Sequence, residues 1–242
     1  MKIKTALLSE KGGRSKNEDF CSYHEQGGYA CFVLADGLGG HAGGELASRY
    51  AVEGILRAFT DDPGYTTEQI RRYLLSAQEY VKASKTEEYK FFSLKTTVVI
   101  FITDFKKTRW AHIGDSRLYR FSKGKLVFQT KDHSVPQMMV NSGEISSEQI
   151  REHEDRGRLT RVFDDENEVK PEILEKPVKL KRKDAFLLCT DGLWENVWEE
   201  EMANELKKAE TQEQWLKSLK SILLSRVDQN HDNYSAISIW VT

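Results

Sequence analysis

Four aspartates stand at the ends of candidate core strands, three after an apolar run and one before it. Phe32-Val33-Leu34-Ala35 passes straight into Asp36-Gly37, Phe186-Leu187-Leu188-Cys189-Thr190 into Asp191-Gly192, and Trp110-Ala111-His112-Ile113-Gly114 into Asp115. Asp232-Asn233 immediately precedes a last alternating, β-branched stretch, residues 235–241. One Asp-Gly after a strand ordinarily marks a turn, because both residue types tolerate turn geometry. Four acids against core strands point further. Converging strand ends would crowd them, and two carboxylates roughly 4 Å apart repel by about 4 kcal/mol at an effective dielectric near 20. Such a cluster requires raised pKa values or cations between the acids. Oxygen-only donors select hard ions, Mg²⁺ or Mn²⁺, and no His/Cys spacing of a zinc site occurs.

The stretch Asp36-Gly37-Leu38-Gly39-Gly40-His41-Ala42-Gly43-Gly44 leads from the first of these strands toward a helix. It lacks the Gly-Lys-Ser/Thr of a phosphate cradle, and Ala42 breaks the G-x-G-x-x-G fingerprint. With Asp36 at its head, it suits a loop whose backbone carbonyls face a metal ion.

The elements that must position these acids are short and β-biased. Residues 31–35, 97–102, 109–113, 185–189 and 235–241 read as strands. Residues 118–121 and 125–128 flank Ser122-Lys123-Gly124 as a hairpin. Three stretches read as helices. Residues 45–59 place Leu46, Tyr50, Ile55 and Ala58 near one face, residues 67–84 place Ile70, Tyr73, Leu74, Ala77 and Val81, and residues 211–227 carry Trp215, Leu216, Leu219, Ile222 and Leu223. Thr66…Gln69 and Thr211…Gln214 are helix-start signals, and Ser146…Gln149 opens a shorter candidate. Strands and helices do not alternate regularly, so an α+β layered domain with antiparallel sheets is expected rather than a doubly wound parallel one. The charged stretch 151–168 is the one long break in the pattern, expected as a surface loop or a solvated helix.

Composition excludes other classes. The 242 residues are 39% hydrophobic, 10% aromatic and 31% charged, which argues against disorder, and the longest aliphatic/aromatic run, residues 98–102, is far too short to span a bilayer. Lys plus Arg number 36 against 38 Asp plus Glu, with no basic stripe interleaved with aromatics, so no nucleic-acid partner is expected. Cys21, Cys31 and Cys189 are odd in number and form no C-x-x-C, which fits reduced thiols, and no signal-peptide core follows Met1; a cytoplasmic protein is expected.

Further segments fall in a telling order. Gly13-Arg14-Ser15-Lys16-Asn17-Glu18-Asp19, Asp36-Gly37-Leu38-Gly39-Gly40-His41, Thr96-Thr97, Gly114-Asp115-Ser116-Arg117, Asp132-His133-Ser134, Gly143-Glu144-Ile145, Leu159-Thr160-Arg161, Thr190-Asp191-Gly192-Leu193-Trp194 and Asp232-Asn233 succeed one another along the chain. In these motifs the sequence resembles the metal-dependent serine/threonine protein phosphatases of the PPM (type 2C) family, in their compact bacterial form. The resemblance covers nearly the whole chain. It implies a single domain, 1–242, in which two antiparallel β-sheets form a sandwich flanked by α-helices in four layers, with a flap near 134–170. It implies hydrolysis of phosphoserine and phosphothreonine by a hydroxide bridging two divalent ions, Mn²⁺ or Mg²⁺, with a third, weaker ion. By the same resemblance Asp36 bridges the two ions with the Gly37 carbonyl on one of them, Asp191 and Asp232 bind the second, Glu18 and Asp19 hold metal-bound waters, and Asp115 with Asp191 reaches the third. Arg14 matches the residue that grips the substrate phosphate, its planar fork suited to two oxygens at once. His41 is a candidate for protonating the leaving oxygen, against the plainer reading of a structural loop histidine; for His133 a structural role is favoured. The implied partners are phosphoproteins, targets of an opposing serine/threonine kinase, with the enzyme a monomer.

Two departures stand out. Lys95 precedes Thr96-Thr97 where the family usually has Gly, placing a charge near a sheet edge or restricting the backbone. Leu159-Thr160-Arg161 is followed by Val162-Phe163-Asp164-Asp165-Glu166-Asn167-Glu168, an acidic flap expected to favour basic phosphopeptides. Two alternatives are set against the main reading. A non-catalytic phosphatase-like binding module should lack some of the acids. Another two-metal phosphoesterase, such as a nuclease, should show a basic groove. The three cysteines lack the C-x5-R signature of a thiolate phosphatase.

Overall fold

The apolar runs fold as strands whose alternating side chains feed two separate cores. The computed structural model describes residues 1–39, 43–87, 89 and 93–242. In chain order they form β1 (Ile3–Glu10), β2 (Asp19–Gln26), β3 (Tyr29–Leu38), α1 (Gly44–Asp61), α2 (Thr67–Ser84), β4 (Lys95–Thr96), β5 (Val98–Thr103), β6 (Lys107–Ile113), β7 (Arg117–Ser122) and β8 (Lys125–Gln129). There follow α3 (Val135–Ser142), a 3-10 turn (Ser147–Glu152), β9 (Phe163–Asp164), β10 (Glu172–Ile173), β11 (Val178–Lys179), β12 (Asp184–Cys189), α4 (Asp191–Trp194), α5 (Glu199–Lys208), α6 (Gln212–Leu224) and β13 (Tyr234–Val241).

One sheet runs β1-β13-β12-β7-β8 and the other β10-β6-β5-β3-β4-β9, with β2 also paired to β3 and β11 to β6. Every pairing is antiparallel. Along β3, Cys31, Val33 and Ala35 face α1 and α2, whereas Ala30, Phe32 and Leu34 face the other sheet, as the two-residue period of a strand requires. The layer between the sheets joins Phe32, Val99 and Phe101 to Phe186, Leu188 and Ile237, with the Phe101 and Phe186 rings 4.7 Å apart. On the far face of the second sheet, Tyr119 and Leu187 pack against Trp215 and Leu219. The order is therefore helix, sheet, sheet, helix, the expected four layers. Each large side chain so enclosed contributes about 1.5–3 kcal/mol.

The helices form for the reasons read from their sequences, with one correction. In α2 the buried residues are Ile70, Tyr73, Leu74, Ala77 and Val81, and Thr66 and Gln69 close a reciprocal capping box. In α1 the buried face is centred on Ala47, Ala51 and Ile55, with Leu46, Tyr50 and Ala58 only partly covered. Small side chains there allow the helix to lie close to β3, so the bulkier residues flank the contact instead of making it. The Ser146 signal opens the 3-10 turn rather than an α-helix. The charged stretch after it forms no helix and passes through turns into β9. β1, β2, α3 and α5, and the short β4, β9, β10, β11 and α4, fall outside the elements expected above. β2 is mostly polar (DFCSYHEQ), and its register on β3, not its own composition, makes it a strand. No helix among the described residues is long and apolar enough to cross a membrane.

Candidate active site

The β2–β3 ladder sets the first two acids side by side: Asp19 pairs directly with Asp36. Asp36 is held from the opposite strand, its N–H donating to Thr97 Oγ1 (3.0 Å) and its carbonyl accepting from Thr97 N (2.8 Å) and Thr96 Oγ1 (2.6 Å). Gly37 continues the strand, and its N–H donates to the Glu18 carbonyl at 3.0 Å. A Cβ at Gly37 would lie 2.1 Å from the Gly44 carbonyl oxygen. Glycine is required there by close approach of two backbones, not by turn geometry.

The other sheet brings the remaining acids. β12 ends at Cys189, and Asp191 opens α4. Thr190 ties the two sheets together: its Oγ1 donates to Asp19 Oδ2 (3.0 Å) and accepts the Ser235 N–H (2.9 Å). A Cβ at Gly192 would stand 2.0 Å from the Asn233 carbonyl oxygen, so this Asp-Gly also marks tight packing. Asp115 follows β6, and its carbonyl accepts the Trp194 indole N–H at 3.0 Å. Asp232 accepts from Arg14 Nη2 at 2.8 Å at the cleft mouth.

Arg14, Glu18, Asp36, Gly37, Asp115, Asp191 and Asp232 all line one cleft of about 460 Å³. Asp19 lies just beneath, buried. Burial pushes the Asp36 carboxyl well above the usual range, helped by the charges of Asp191, Asp19 and Asp115. Asp19 is pushed up to about 8 by burial and the nearby Asp191 and Asp232. Asp115 and Asp191 are raised in the same way, and Glu18 is raised by burial and Asp232. Asp19 Oδ1 is buried without any hydrogen-bond donor. Carboxylates this close stay ionised at neutral pH only beside compensating positive charge, and the donors are all oxygen. The residues therefore fit hard divalent cations.

A family model for protein phosphatase 2C matches residues 10–233. The chain belongs to that family. It is 29% identical over 213 residues to the serine/threonine protein phosphatase PstP of Mycobacterium tuberculosis, an alignment that covers 87% of this chain and 40% of PstP; the chain thus spans under half of that relative's length. It is 32% identical over 184 residues to the serine/threonine phosphatase stp of Listeria monocytogenes serotype 4b, covering 74% of this chain and 72% of that one. The catalytic domain of PstP in complex with two manganese ions superposes with a TM-score of 0.82 at 27% identity, covering 99% of this chain and 98% of that one.

Several features distinguish this family member. Lys95 forms β4 with Thr96, pairs in register with Asp164 of β9, and brings its Nζ to 3.8 Å from Asp164 Oδ2. The charge at the sheet edge is matched by a flap acid. The acidic flap presents only part of its charge, since Glu166 and Glu168 are exposed and its two aspartates are not. Asp164 and Asp165 are buried; Asp164 Oδ1 accepts from Ser93 Oγ (3.0 Å) and Glu166 N (2.8 Å), while Asp165 accepts from Leu94 N (2.9 Å) and pairs with Lys85. Glu168 is exposed but pairs with Lys170 at 3.1 Å. The two aspartates therefore lend no charge toward a basic phosphopeptide, and the exposed acids of the flap are Glu166 and Glu168. His41 lies outside the described residues.

His133, His112 and Glu172 bring ligand-type atoms within 4.8 Å of one another. The Gly114 N–H donates to His133 Nδ1 at 3.2 Å, which assigns the ring proton to Nε2, 3.6 Å from Glu172. A ring with that tautomer offers no lone pair toward the other two. His133 instead clips the Asp115 turn: its N–H donates to the Gly114 carbonyl at 2.9 Å, and its carbonyl accepts from Thr160 at 2.8 Å.

Sequence reasoning did not single out the residues that hold the acids in place. Asn233 Oδ1 accepts the Glu18 N–H (2.8 Å), and its Nδ2 donates to the carbonyls of Lys11 (2.8 Å) and Lys16 (2.9 Å), fixing the loop that carries Arg14. Arg117 forks onto Asp132 at 2.8 and 2.7 Å and stacks 3.4 Å from the Trp194 ring. An asparagine and an arginine beside motif aspartates were the available signals.

Proposed function

We propose that this chain hydrolyses phosphoserine and phosphothreonine in proteins with two divalent cations, Mn²⁺ or Mg²⁺, and a third, weaker ion. The convergence of Glu18, Asp36, Asp115, Asp191 and Asp232 on one cleft, with Arg14 at its mouth, carries the reading. Asp36, the Gly37 carbonyl, Asp191 and Asp232 would hold the pair, Glu18 and Asp19 would hold their water shell, and Asp115 with Asp191 would hold the third ion. When bound, such ions supply Lewis acidity and an activated water at neutral pH.

The chain's own groups do the rest. Arg14 presents N–H donors to the equatorial phosphate oxygens, where charge builds as the phosphoryl group transfers. Its contact with Asp232 aims the guanidinium across the mouth. Gly37 leaves the space into which only backbone fits. His41, between Gly39 and Gly43, gives a proton to the departing serine or threonine oxygen; its place in the sequence supports this role. We take residues 1–242 as one domain with a flap near 134–170, acting as a monomer on cytoplasmic targets of a serine/threonine kinase. Three cysteines without a disulfide among them support a reducing compartment.

Hydrolysis of an aryl phosphate and a phosphothreonine peptide with Mn²⁺, with chelator and with Asp36→Asn tests this, alongside calorimetric titration of Mn²⁺. The substitution should weaken Mn²⁺ binding and lower turnover by at least about a hundredfold. Turnover that survives chelation, or a folded, Mn²⁺-loaded protein without turnover, would refute the proposal.

A further inference from the structure

The pole opposite the cleft carries a groove that the reaction does not use. β12 begins there at Asp184 and ends toward Asp191, while β13 leaves the cleft at Tyr234 and ends there at Val241. At the rise of a strand, the two sites lie about 20 Å apart. The groove measures about 660 Å³. Lys123, Arg182, Lys183 and Lys207 form its walls, and Leu206 and Trp240 lie in its floor.

Its charge is one-sided. The sequence is near balance, with 36 basic and 38 acidic residues, yet Lys179, Lys181, Arg182 and Lys183 fall within one five-residue stretch. None of the four wall cations makes an ion pair among the described residues. The one acid in the lining, Asp184, is buried and turned inward: Oδ1 accepts from Ser122 (2.8 Å) and Oδ2 from Arg120 (3.0 Å) and the Lys181 N–H (3.2 Å). Four cations around an apolar floor, with the one acidic side chain of the lining turned inward, form a positive trough.

The walls are also fixed in place. The Lys123 N–H donates to the Lys183 carbonyl (3.3 Å), and the Lys183 N–H donates to the Val241 carbonyl (3.0 Å). Lys123 and Lys183 both hold left-handed backbone, with φ of 51° and 68°, a conformation unfavourable for lysine that the surroundings must enforce. The stem of Lys207 lies over Gly124. The Trp240 ring supplies apolar surface, its indole N–H being enclosed.

We propose that this groove docks an extended acidic protein segment, whose carboxylate side chains meet Lys123, Arg182, Lys183 and Lys207 while one apolar side chain rests on Leu206 and Trp240. The cations ring a concave trough with an apolar floor, the shape of a peptide site; a bilayer would meet a flat face, and a duplex would need a longer basic stripe. Binding stands apart from the phosphatase reading. Its consequence rests on that reading: an acidic segment tethered to a phosphorylated residue would raise that residue's effective concentration at the cleft.

The probe is a fluorescein-labelled hexapeptide, Glu-Asp-Glu-Leu-Asp-Glu, followed by anisotropy. It should bind the wild-type protein and lose at least about tenfold in affinity to the double variant Arg182→Glu/Lys183→Glu, and it should weaken as salt rises. A lysine-rich peptide of equal length should not bind. Neither position touches the cleft, so the melting temperature and aryl phosphate hydrolysis of the variant should match wild type. A phosphothreonine peptide carrying the acidic segment on a flexible linker should show a several-fold lower KM than one without it, and only in the wild-type protein. Absence of hexapeptide binding, equal binding to wild type and variant, equal KM with and without the segment in an active enzyme, or tighter capture by anionic vesicles or duplex oligonucleotide at the same salt would overturn the proposal. Hexapeptide binding in a protein with no turnover would sink the phosphatase reading alone.

Discussion

Replacing Asn233 tests how the Arg14–Glu18 loop is held over the acids. The side chain is 6% exposed and makes three hydrogen bonds to backbone, to Glu18 N–H and to the carbonyls of Lys11 and Lys16. Asn233→Ala removes all three and leaves three backbone groups without their partner. At about 1 kcal/mol net for each, the loss is about 3 kcal/mol. For a chain of this size each kcal/mol lowers Tm by about 2–4 °C, so scanning calorimetry should show a fall of about 6–12 °C. Asn233→Asp keeps the shape but sets a carboxylate against two carbonyl oxygens. It should destabilise at least as much, which separates hydrogen bonding from lost volume. Because the loop carries Arg14 and Glu18, Mn²⁺ affinity in both variants should fall by about tenfold. If both melt within about 2 °C of wild type and bind Mn²⁺ as tightly, Asn233 does not position the loop.

Four further outcomes are expected. In chelator the Tm should fall as pH rises from 5 to 8, because Asp19, pushed up to about 8 by burial, binds more protons folded than unfolded above its ordinary value of about 3.9; Mn²⁺ should flatten the profile, and a flat profile in chelator would count against the packed acids. Gly37→Ala should abolish Mn²⁺ binding, since its Cβ would stand 2.1 Å from the Gly44 carbonyl oxygen; unchanged calorimetric binding would show that the backbones can part. Arg117→Leu strands the buried Asp132 carboxylate and should cost about 3–5 kcal/mol in urea unfolding, with Arg117→Leu/Asp132→Leu recovering much of it; equal loss in both would place the effect elsewhere. Arg14→Ala should lower kcat/KM on a phosphopeptide by about a hundredfold while Mn²⁺ affinity changes little, and wild-type turnover would remove Arg14 from phosphate binding.

Much of this was legible in the sequence because burial leaves a strong pattern. Residues 98–102 and 185–189 lie in strands enclosed on both faces, and such strands read as unbroken apolar runs. Asp36, Asp115 and Asp191 were legible because each follows such a run and Asp232 because it precedes a strand, whereas Glu18 and Asp19 were legible only through the family motif. β2 was not legible: a half-exposed strand needs few apolar residues, and its partner β3 supplies the order. The flap was legible only in part, because charge alone does not reveal which acids are exposed: Glu166 and Glu168 are, and the two aspartates are not. Asp164 and Asp165 are acids in composition, but Ser93, Leu94 and Lys85 surround them, and no local pattern in sequence announces partners that distant along the chain. The supporting role of Asn233 was hidden for the same reason, since its partners lie more than two hundred residues away.

The position of β13 has a consequence for how the protein comes off the ribosome. It follows the other strands described here along the chain, yet it lies inside its sheet, between β1 and β12. Until it emerges, β1 has nothing to pair with, and Asp232 and Asn233, which immediately precede it, cannot reach the segments they join. A nascent chain halted before residue 232 therefore carries most of its acids but not their meeting place. Residues 232–241 must be made before the acids can meet in one cleft.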